Sequence, residues 1–303
     1  MTLKVLYNGQ MLAPDQAHIP HDDAGFQHAV GLFETMLAEN GRVFRLDDHL
    51  NRLCESARIL GLSHSLDPEA LAEAVNKTIS ENGLQRARIR LTVTPGSLSM
   101  VPGRVGRSQP TGTVLIQPSE PTEYDPRYFE EGITALVAPP GANPFDSLAG
   151  HKTLSYWGRL RTLRQAASVG AGEAIWLNIT NHLASGAVSN IFLVKDGKLL
   201  TPIARGEELD KSLPAPVLPG ITRAAVIELA EARDIPVEKR MLAIDDLLGA
   251  DEVFLTNSSW HILPVTRVEK SSVGDGKVGE ITSSLRQALL ELIERETSLA
   301  DAN

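Results

Sequence analysis

Hydrophobic positions along the chain follow two periods, and the switches between them divide it into elements. Apolar runs flank Asn8-Gly9, with Val5-Leu6-Tyr7 before it and Met11-Leu12 after it; Leu37-Ala38-Glu39 and Arg42-Val43-Phe44 flank Asn40-Gly41 in the same way. An Asn-Gly pair between such runs suits a two-residue turn with positive φ at both positions, so each reads as a tight hairpin. The chain therefore opens as antiparallel sheet. Leu50, Leu53, Ala57 and Leu60 then recur at helical spacing; Asp47 or Asp48 can cap that helix, Gly61 ends it, and Arg52 lies off the apolar stripe. A second helix is expected over residues 68–82. The alternating run Ala87-Arg88-Ile89-Arg90-Leu91-Thr92-Val93, a Gly/Ser/Pro loop over 95–112 and a strand over 113–117 follow.

Pro118, Pro121 and Pro126 fall in a short, mostly polar stretch that reads as a linker. The expected organisation is a smaller N-terminal domain over 1–118, a linker over 119–130 and a larger domain over 131–303. The larger part should hold a strand over 133–138 and a Pro/Gly-rich segment over 139–150. A turn carrying Lys152 then gives way to an amphipathic helix ending near Gly170, and a strand follows over 173–178. A strand over 190–195 turns at Asp196-Gly197 into Lys198-Leu199-Leu200. A helix from Gly220 to about Ala232, strands around Val237 and over 253–255, and a terminal helix from about Gly279 complete the chain. Strands and helices mix without regular βαβ alternation, which argues for α+β rather than a doubly wound sheet. No internal repeat or low-complexity tract is visible.

Composition narrows the partners. With 303 residues, 42% of them hydrophobic, the chain can fill two cores of ordinary size. A net charge of -9 with no basic block argues against a nucleic-acid or anionic-membrane partner and for a small molecule. The single cysteine, Cys54, cannot form an internal disulfide. Met1-Thr2-Leu3-Lys4 lacks the apolar core of a signal peptide, and no apolar run approaches the roughly 20 residues of a membrane span, so the cytoplasm is expected.

Candidate chemistry centres on His151-Lys152-Thr153-Leu154-Ser155-Tyr156-Trp157. A lysine confined beside aromatic residues loses part of the solvation of its ammonium form, which suits it to attack aldehydes and carry protons. Its ordinary alternative is a solvated surface charge. Arg52 offers a forked, permanent charge, and Gly220 leaves room for an anion at the amides of Ile221 and Thr222, which open a helix. Asn257 and Ser258 lie in the hydroxyl-rich turn Thr256-Asn257-Ser258-Ser259. Together these groups could hold a phosphorylated aldehyde, and pyridoxal phosphate suggests itself. Taken singly, each has a plain reading as a turn glycine, a solvated helix charge or a turn serine.

Six segments occur in an order that resembles the class IV aminotransferases, the fold-type IV pyridoxal phosphate family. They are Gly25-Phe26-Gln27 through Leu32-Phe33-Glu34-Thr35-Met36, residues 45–53, His151 through Tyr156, Ser189-Asn190-Ile191-Phe192, residues 218–223 and residues 252–265. The family includes branched-chain and D-amino-acid aminotransferases and aminodeoxychorismate lyase, and the resemblance spans almost the whole chain. It implies a smaller α/β domain, a larger domain with a β-barrel-like core, and a homodimer with its site between the two domains. It makes Lys152 the residue that bonds the cofactor and moves a proton between Cα and C4′. Arg52, Ile221, Thr222 and Ser258 then match phosphate-binding positions, Tyr156 matches the partner of the cofactor's phenolic oxygen, and His28 and Phe33 match substrate-pocket positions. No metal is expected.

The departures carry information too. The family usually places a glutamate against the pyridine nitrogen, in the segment aligned with Ala184-Ser185-Gly186; here Ser185 stands there, a hydroxyl with no negative charge. Ala29-Val30 replaces the usual Gly-Asp, and Pro95 replaces an arginine often found after the strand carrying Arg90, so the carboxylate-binding group is not named. The leading expectation is a pyridoxal phosphate-dependent aminotransferase acting on an amino acid and a 2-keto acid. Two readings stay open beside it: elimination of the aminodeoxychorismate lyase type, and a cofactor-binding protein made weakly active by Ser185.

Overall fold

Both Asn-Gly pairs form the hairpins their chemistry favours: Asn8 and Gly9 take φ of 46° and 83°, Asn40 and Gly41 of 52° and 74°. The first joins β1 (Val5–Tyr7) to β2 (Gln10–Leu12). A short helix α1 (Ala24–His28) precedes β3 (Leu32–Glu39), which the second hairpin joins to β4 (Arg42–Val43). Helices α2 (Leu46–Ile59) and α3 (Pro68–Glu81) and strands β5 (Ala87–Thr94) and β6 (Thr113–Ser119) follow. This computed structural model describes residues 2–63, 65–99 and 112–298, so most of the expected loop over 95–112 lies outside the described residues.

The six strands form one antiparallel sheet in the order β2-β1-β6-β5-β3-β4. On β5, Ala87, Ile89, Leu91 and Val93 are buried while Arg88, Arg90 and Thr92 face the other side, the two-residue period of a strand with one covered face. The buried row packs with Leu50, Leu53 and Ala57 of α2 and Leu71, Val75 and Ile79 of α3. The expected aspartate cap of α2 is not what forms. Arg45 takes the left-handed conformation at the N-cap without a side-chain cap bond, and Asp47 and Asp48 sit inside the first turn, where negative charge suits the helix dipole. Residues 151–155 and 293–298 belong to this compact unit.

The second unit comprises residues 123–150 and 156–292. Its elements are α4 (Arg127–Glu130), β7 (Ile133–Val137), α5 (Trp157–Ser168), β8 (Glu173–Leu177), β9 (Leu183–Gly186), β10 (Asn190–Lys195) and β11 (Lys198–Thr201). After these come α6 (Ile221–Glu231), β12 (Val237–Lys239), α7 (Ile244–Leu248), β13 (Glu252–Asn257), β14 (His261–Val268), β15 (Ser271–Ser272) and α8 (Glu280–Thr297), whose last turns join the first unit. The sheet order β12-β11-β10-β13-β14-β7-β8-β9 mixes parallel and antiparallel pairs, with β15 against β14. Strand β9 ends the order, yet only residues 187–189 connect it to β10, five places away. So short a connection requires the sheet to curl back on itself. Its interior is filled by Ile175, Leu183, Ile191, Leu193, Val253, Leu255, Leu263 and Val265.

Three strands lay below the sequence signal, the two-residue β15 among them. Strand β9 is only Leu-Ala-Ser-Gly, and β14 contains Pro264, which pairs with Phe254 inside the ladder although proline lacks the N–H that central strands use. Helix α5 starts only at Trp157, so Lys152 precedes it in extended chain rather than at the point where a turn becomes helix.

The turn after β9 is built around a buried acid. Glu173, fully buried, accepts from the amides of Ala174 (2.8 Å), Ala187 (3.2 Å) and Val188 (3.2 Å) and from Ser189 Oγ (3.0 Å). Burial pushes its carboxyl above the ordinary value despite these donors. Glu173→Ala strands all four donors and should lower stability by about 2–4 kcal/mol, read as a lower denaturant midpoint with an unchanged slope. A loss under about 1 kcal/mol would mean that the turn does not depend on this side chain.

Candidate active site

In the first unit the backbone fixes Lys152 before any side chain acts. Phe33 N–H donates to Lys152 O (3.0 Å), Leu154 N–H donates to Gly31 O (2.9 Å), and Thr153 bridges to Leu32, so residues 152–154 lie along the start of β3. Gly31 is needed for this approach. A Cβ there would meet both Leu154 Cδ1 and Val93 O at 2.7 Å. His151 Nδ1, 2.9 Å from Ser56 Oγ, ties the same segment to α2.

Cations gather around this segment. Lys152 Nζ lies 4.4 Å and the Arg90 guanidinium carbon 3.9 Å from the centre of the buried Phe33 ring, both within cation–π range. Next along β3, on the opposite face, Glu34 is fully buried and binds Arg52 in a fork, Nε to Oε1 at 2.9 Å and Nη2 to Oε2 at 2.5 Å. His49, one helical turn before Arg52 on α2, places Nδ1 2.9 Å from Glu34 Oε2. Arg52 is therefore not a solvated helix charge: its side chain is 11% exposed and held by a carboxylate. Of the sequence candidates in this unit, Phe33, Arg52 and Lys152 stand in this cluster. His28 does not join them; it is exposed in the last turn of α1, and among the described residues no side-chain hydrogen bond or ion pair involves it.

The second unit carries the remaining candidates. Gly220 is the N-cap of α6, and the first intrahelical bond is Ala224 N–H to Gly220 O, which leaves the amides of Ile221 and Thr222 without a helical acceptor. A Cβ on Gly220 would lie 2.0 Å from Asn190 Oδ1, and Asn190 Nδ2 donates to Leu218 O (2.8 Å), so glycine lets the chain reach this helix start. Behind it, buried Arg223 is anchored through Nη2 to Glu207 Oε2 at 2.7 Å. Asn257 Oδ1 accepts from the amides of Ser259 and Trp260, shaping the turn that bears Ser258. Tyr156 is half-buried at the N-cap of α5, and Ser185 is buried in β9 with Arg159 of α5 on its hydroxyl.

Several of these groups were not singled out as site residues in the sequence. Glu34 interrupts the apolar run Leu32-Phe33-Glu34-Thr35-Met36-Leu37, and His49 and Arg52 share a helix face at three-residue spacing. Those two signals could have found the triad. Arg159, Asn190 and Glu207 carry no comparable local mark.

The triad makes the unit acid-sensitive. Burial alone would raise the Glu34 carboxyl, but the Arg52 charge and the bonds from His49 and Arg52 outweigh it and hold the group at about 2, against an ordinary 4.5. Burial pushes His49 below its ordinary 6.5 in spite of Glu34. The unfolded chain thus binds more protons at both residues: stability falls once pH drops below 6.5, and the Glu34 contribution, full above 4.5, is lost as pH falls toward 2. Glu34→Gln should cost about 3 kcal/mol at neutral pH and flatten the part of the stability–pH curve below 4.5. An unchanged acid limb in that variant would remove Glu34 as its source.

Known proteins match this chain over nearly its full length. The family profile described as amino-transferase class IV matches residues 31–268. A branched-chain-amino-acid aminotransferase of Escherichia coli K12 is 31% identical, covering 97% of this chain and 94% of its own. A D-alanine aminotransferase of Listeria monocytogenes is 30% identical, covering 97% of both chains. A crystal structure of an Escherichia coli branched-chain amino acid aminotransferase superposes with a TM-score of 0.88 at 29% identity, over 100% of this chain and 98% of that one. With the mixed two-sheet fold, these matches establish that the chain belongs to the class IV aminotransferases, a family of enzymes.

Proposed function

We propose that this protein is a pyridoxal phosphate-dependent aminotransferase that exchanges the amino group of an α-amino acid with a 2-keto acid. The observation that carries the reading is the position of Lys152 in a chain of this family. The lysine is pinned to β3 by backbone bonds and set beside Phe33, in a cluster where Arg90 and Arg52 supply further positive charge and Glu34 is the carboxylate. Such a cluster suits an anionic, carbonyl-bearing molecule. The helix start at Gly220 supports the cofactor's fit, because its amides lack helical acceptors and a side chain there would collide with Asn190.

Pyridoxal phosphate supplies an aldehyde that bonds amines and a ring that draws electrons from the carbon attached to them. In this reading Lys152 Nζ would be the amine that holds the aldehyde and the base that moves the proton on and off the substrate Cα. Arg52, the amides of Ile221 and Thr222, and the Ser258 hydroxyl would hold the phosphate, with Asn257 shaping the turn that bears Ser258. The Tyr156 phenol would bond the cofactor's phenolic oxygen, and Phe33, beside Lys152, would border the substrate. The same reading makes the protein a cytoplasmic homodimer.

Purified protein loaded with pyridoxal phosphate should absorb in the visible, and an amino donor should bleach the band while 2-oxoglutarate or pyruvate is aminated. Lys152→Ala should lose the band and lower turnover by about 10²–10⁴-fold. A band that survives that substitution would exclude Lys152 as its source. Pyruvate released from aminodeoxychorismate without an amino acceptor would instead favour the lyase reading. Gly220→Ala should weaken cofactor binding while Lys152 chemistry persists at saturating cofactor; unchanged binding would exclude this helix start from the phosphate site.

A further inference from the structure

We propose that Arg159 and Ser185 together form the partner of the cofactor's ring nitrogen and keep that nitrogen unprotonated; the inference rests on the pyridoxal phosphate reading above. Ser185 is 3% exposed and lies opposite Trp176 of β8 in the ladder. From the first turn of α5, Arg159 Nη1 donates to Ser185 Oγ at 3.2 Å, to Gly186 O at 3.0 Å and to Ala187 O at 3.1 Å. The guanidinium carbon stands 4.9 Å from the centre of the Trp176 ring, so an aromatic face and two carbonyls hold it against the hydroxyl.

The direction of these bonds sets the chemistry. The Ser185 oxygen already accepts from a cation, and none of the described residues accepts the hydroxyl's own hydrogen. A hydroxyl polarised in this way donates. A ring nitrogen that receives a donor uses its lone pair for that bond and has none left for a proton, and the guanidinium behind the hydroxyl disfavours a second positive charge. The surroundings do not offset this. Helix α5 carries Arg159, Arg161 and Arg164 and no acidic residue, and β9 has no charged side chain. On β8 the acid is Glu173. It lies on the opposite face of the sheet, where a Cβ on Gly186 would meet it, and its oxygens are taken by three amides and a serine. A neutral ring draws electrons from the substrate carbon less strongly, so more of the work of removing the Cα proton falls to the base.

The test reads the nitrogen itself. The protein is loaded with pyridoxal phosphate labelled with ¹⁵N in the ring, and the ¹⁵N chemical shift is followed across the neutral pH range. The bound cofactor should show the shift of an unprotonated ring in the wild type and of a protonated ring in Ser185→Glu. Arg159→Gln should raise the midpoint of ring protonation by about one to three pH units, and Arg159→Lys should restore it in part. A merely structural role for Arg159 would leave that midpoint in place. Should the variants fail to fold, the wild-type spectrum decides alone, and a protonated ring there overturns the inference. If the protein takes up no pyridoxal phosphate, the proposed function falls and this inference falls with it; a protonated ring in a protein that binds the cofactor removes only the inference.

Discussion

A carboxylate taken wholly out of water must be met by charge and hydrogen bonds, and the first unit is arranged around one such group. Glu34 occupies a core position on β3, where desolvation of its charge is opposed by the forked guanidinium of Arg52 and the ring of His49. Both partners come from α2, so the ion pair does more than neutralise. It fixes the rotation of that helix against the sheet and fixes the guanidinium plane. Lysine could not do this, because a single ammonium cannot span both carboxylate oxygens with parallel bonds. The apolar contacts of Leu50, Leu53 and Ala57 would tolerate small rotations of α2; the fork would not.

The neighbouring residue on β3 has its own constraint. Phe33 donates its amide to the carbonyl of Lys152 and presents its ring to both Lys152 and Arg90. Lysine side chains are long and rotamer-rich, so a lysine that acts at one place needs its backbone held and its ammonium given a favoured surface. Two ladder-like bonds and a cation–π contact provide both. In the second unit the α6 start is held by the same logic with other residues: Asn190 grips Leu218 ahead of the glycine, and the Arg223–Glu207 pair anchors the first turn behind it. Burial would raise the Glu207 carboxyl, but the bonds from Arg223 and Lys239 hold it at about 2, so this anchor is charged at any ordinary pH.

How much of this could be read from the sequence follows from the range of each interaction. The Asn-Gly hairpins, the helix from Pro68 and the helix after Gly220 were legible because their signals lie within a few residues. The acidic cap expected for α2 failed because left-handed Arg45 already turns the chain into the helix, and its side chain bonds Glu296 at 2.9 Å, a partner 251 positions away. Strand β14 was hidden by Pro264, whose place in a ladder is visible only once its neighbours are known. Lys152 is singled out in the sequence by its aromatic company and family resemblance, yet its extended conformation depends on β3, and no local pattern announces the bridge of Thr153 to Leu32. Arg159 is the extreme case. It reads as one of three arginines on an amphipathic helix, and only the curl of the sheet brings Ser185 to it.

That last pairing bears on how a substitution at one position alters the meaning of another. A carboxylate at position 185 would make an ion pair with Arg159, and the charges would cancel locally. With serine there, Arg159 keeps its interactions with Gly186 O, Ala187 O and the Trp176 ring, so it has reason to stay where it is, but its charge is no longer balanced. The field at β9 then has the opposite sign from the one a glutamate would produce. Because Glu173 on the other face is engaged by its own donors, it does not move to compensate. The change from acid to hydroxyl is therefore a reversal of the local potential rather than the loss of one hydrogen bond, and it acts through an arginine that need not move at all.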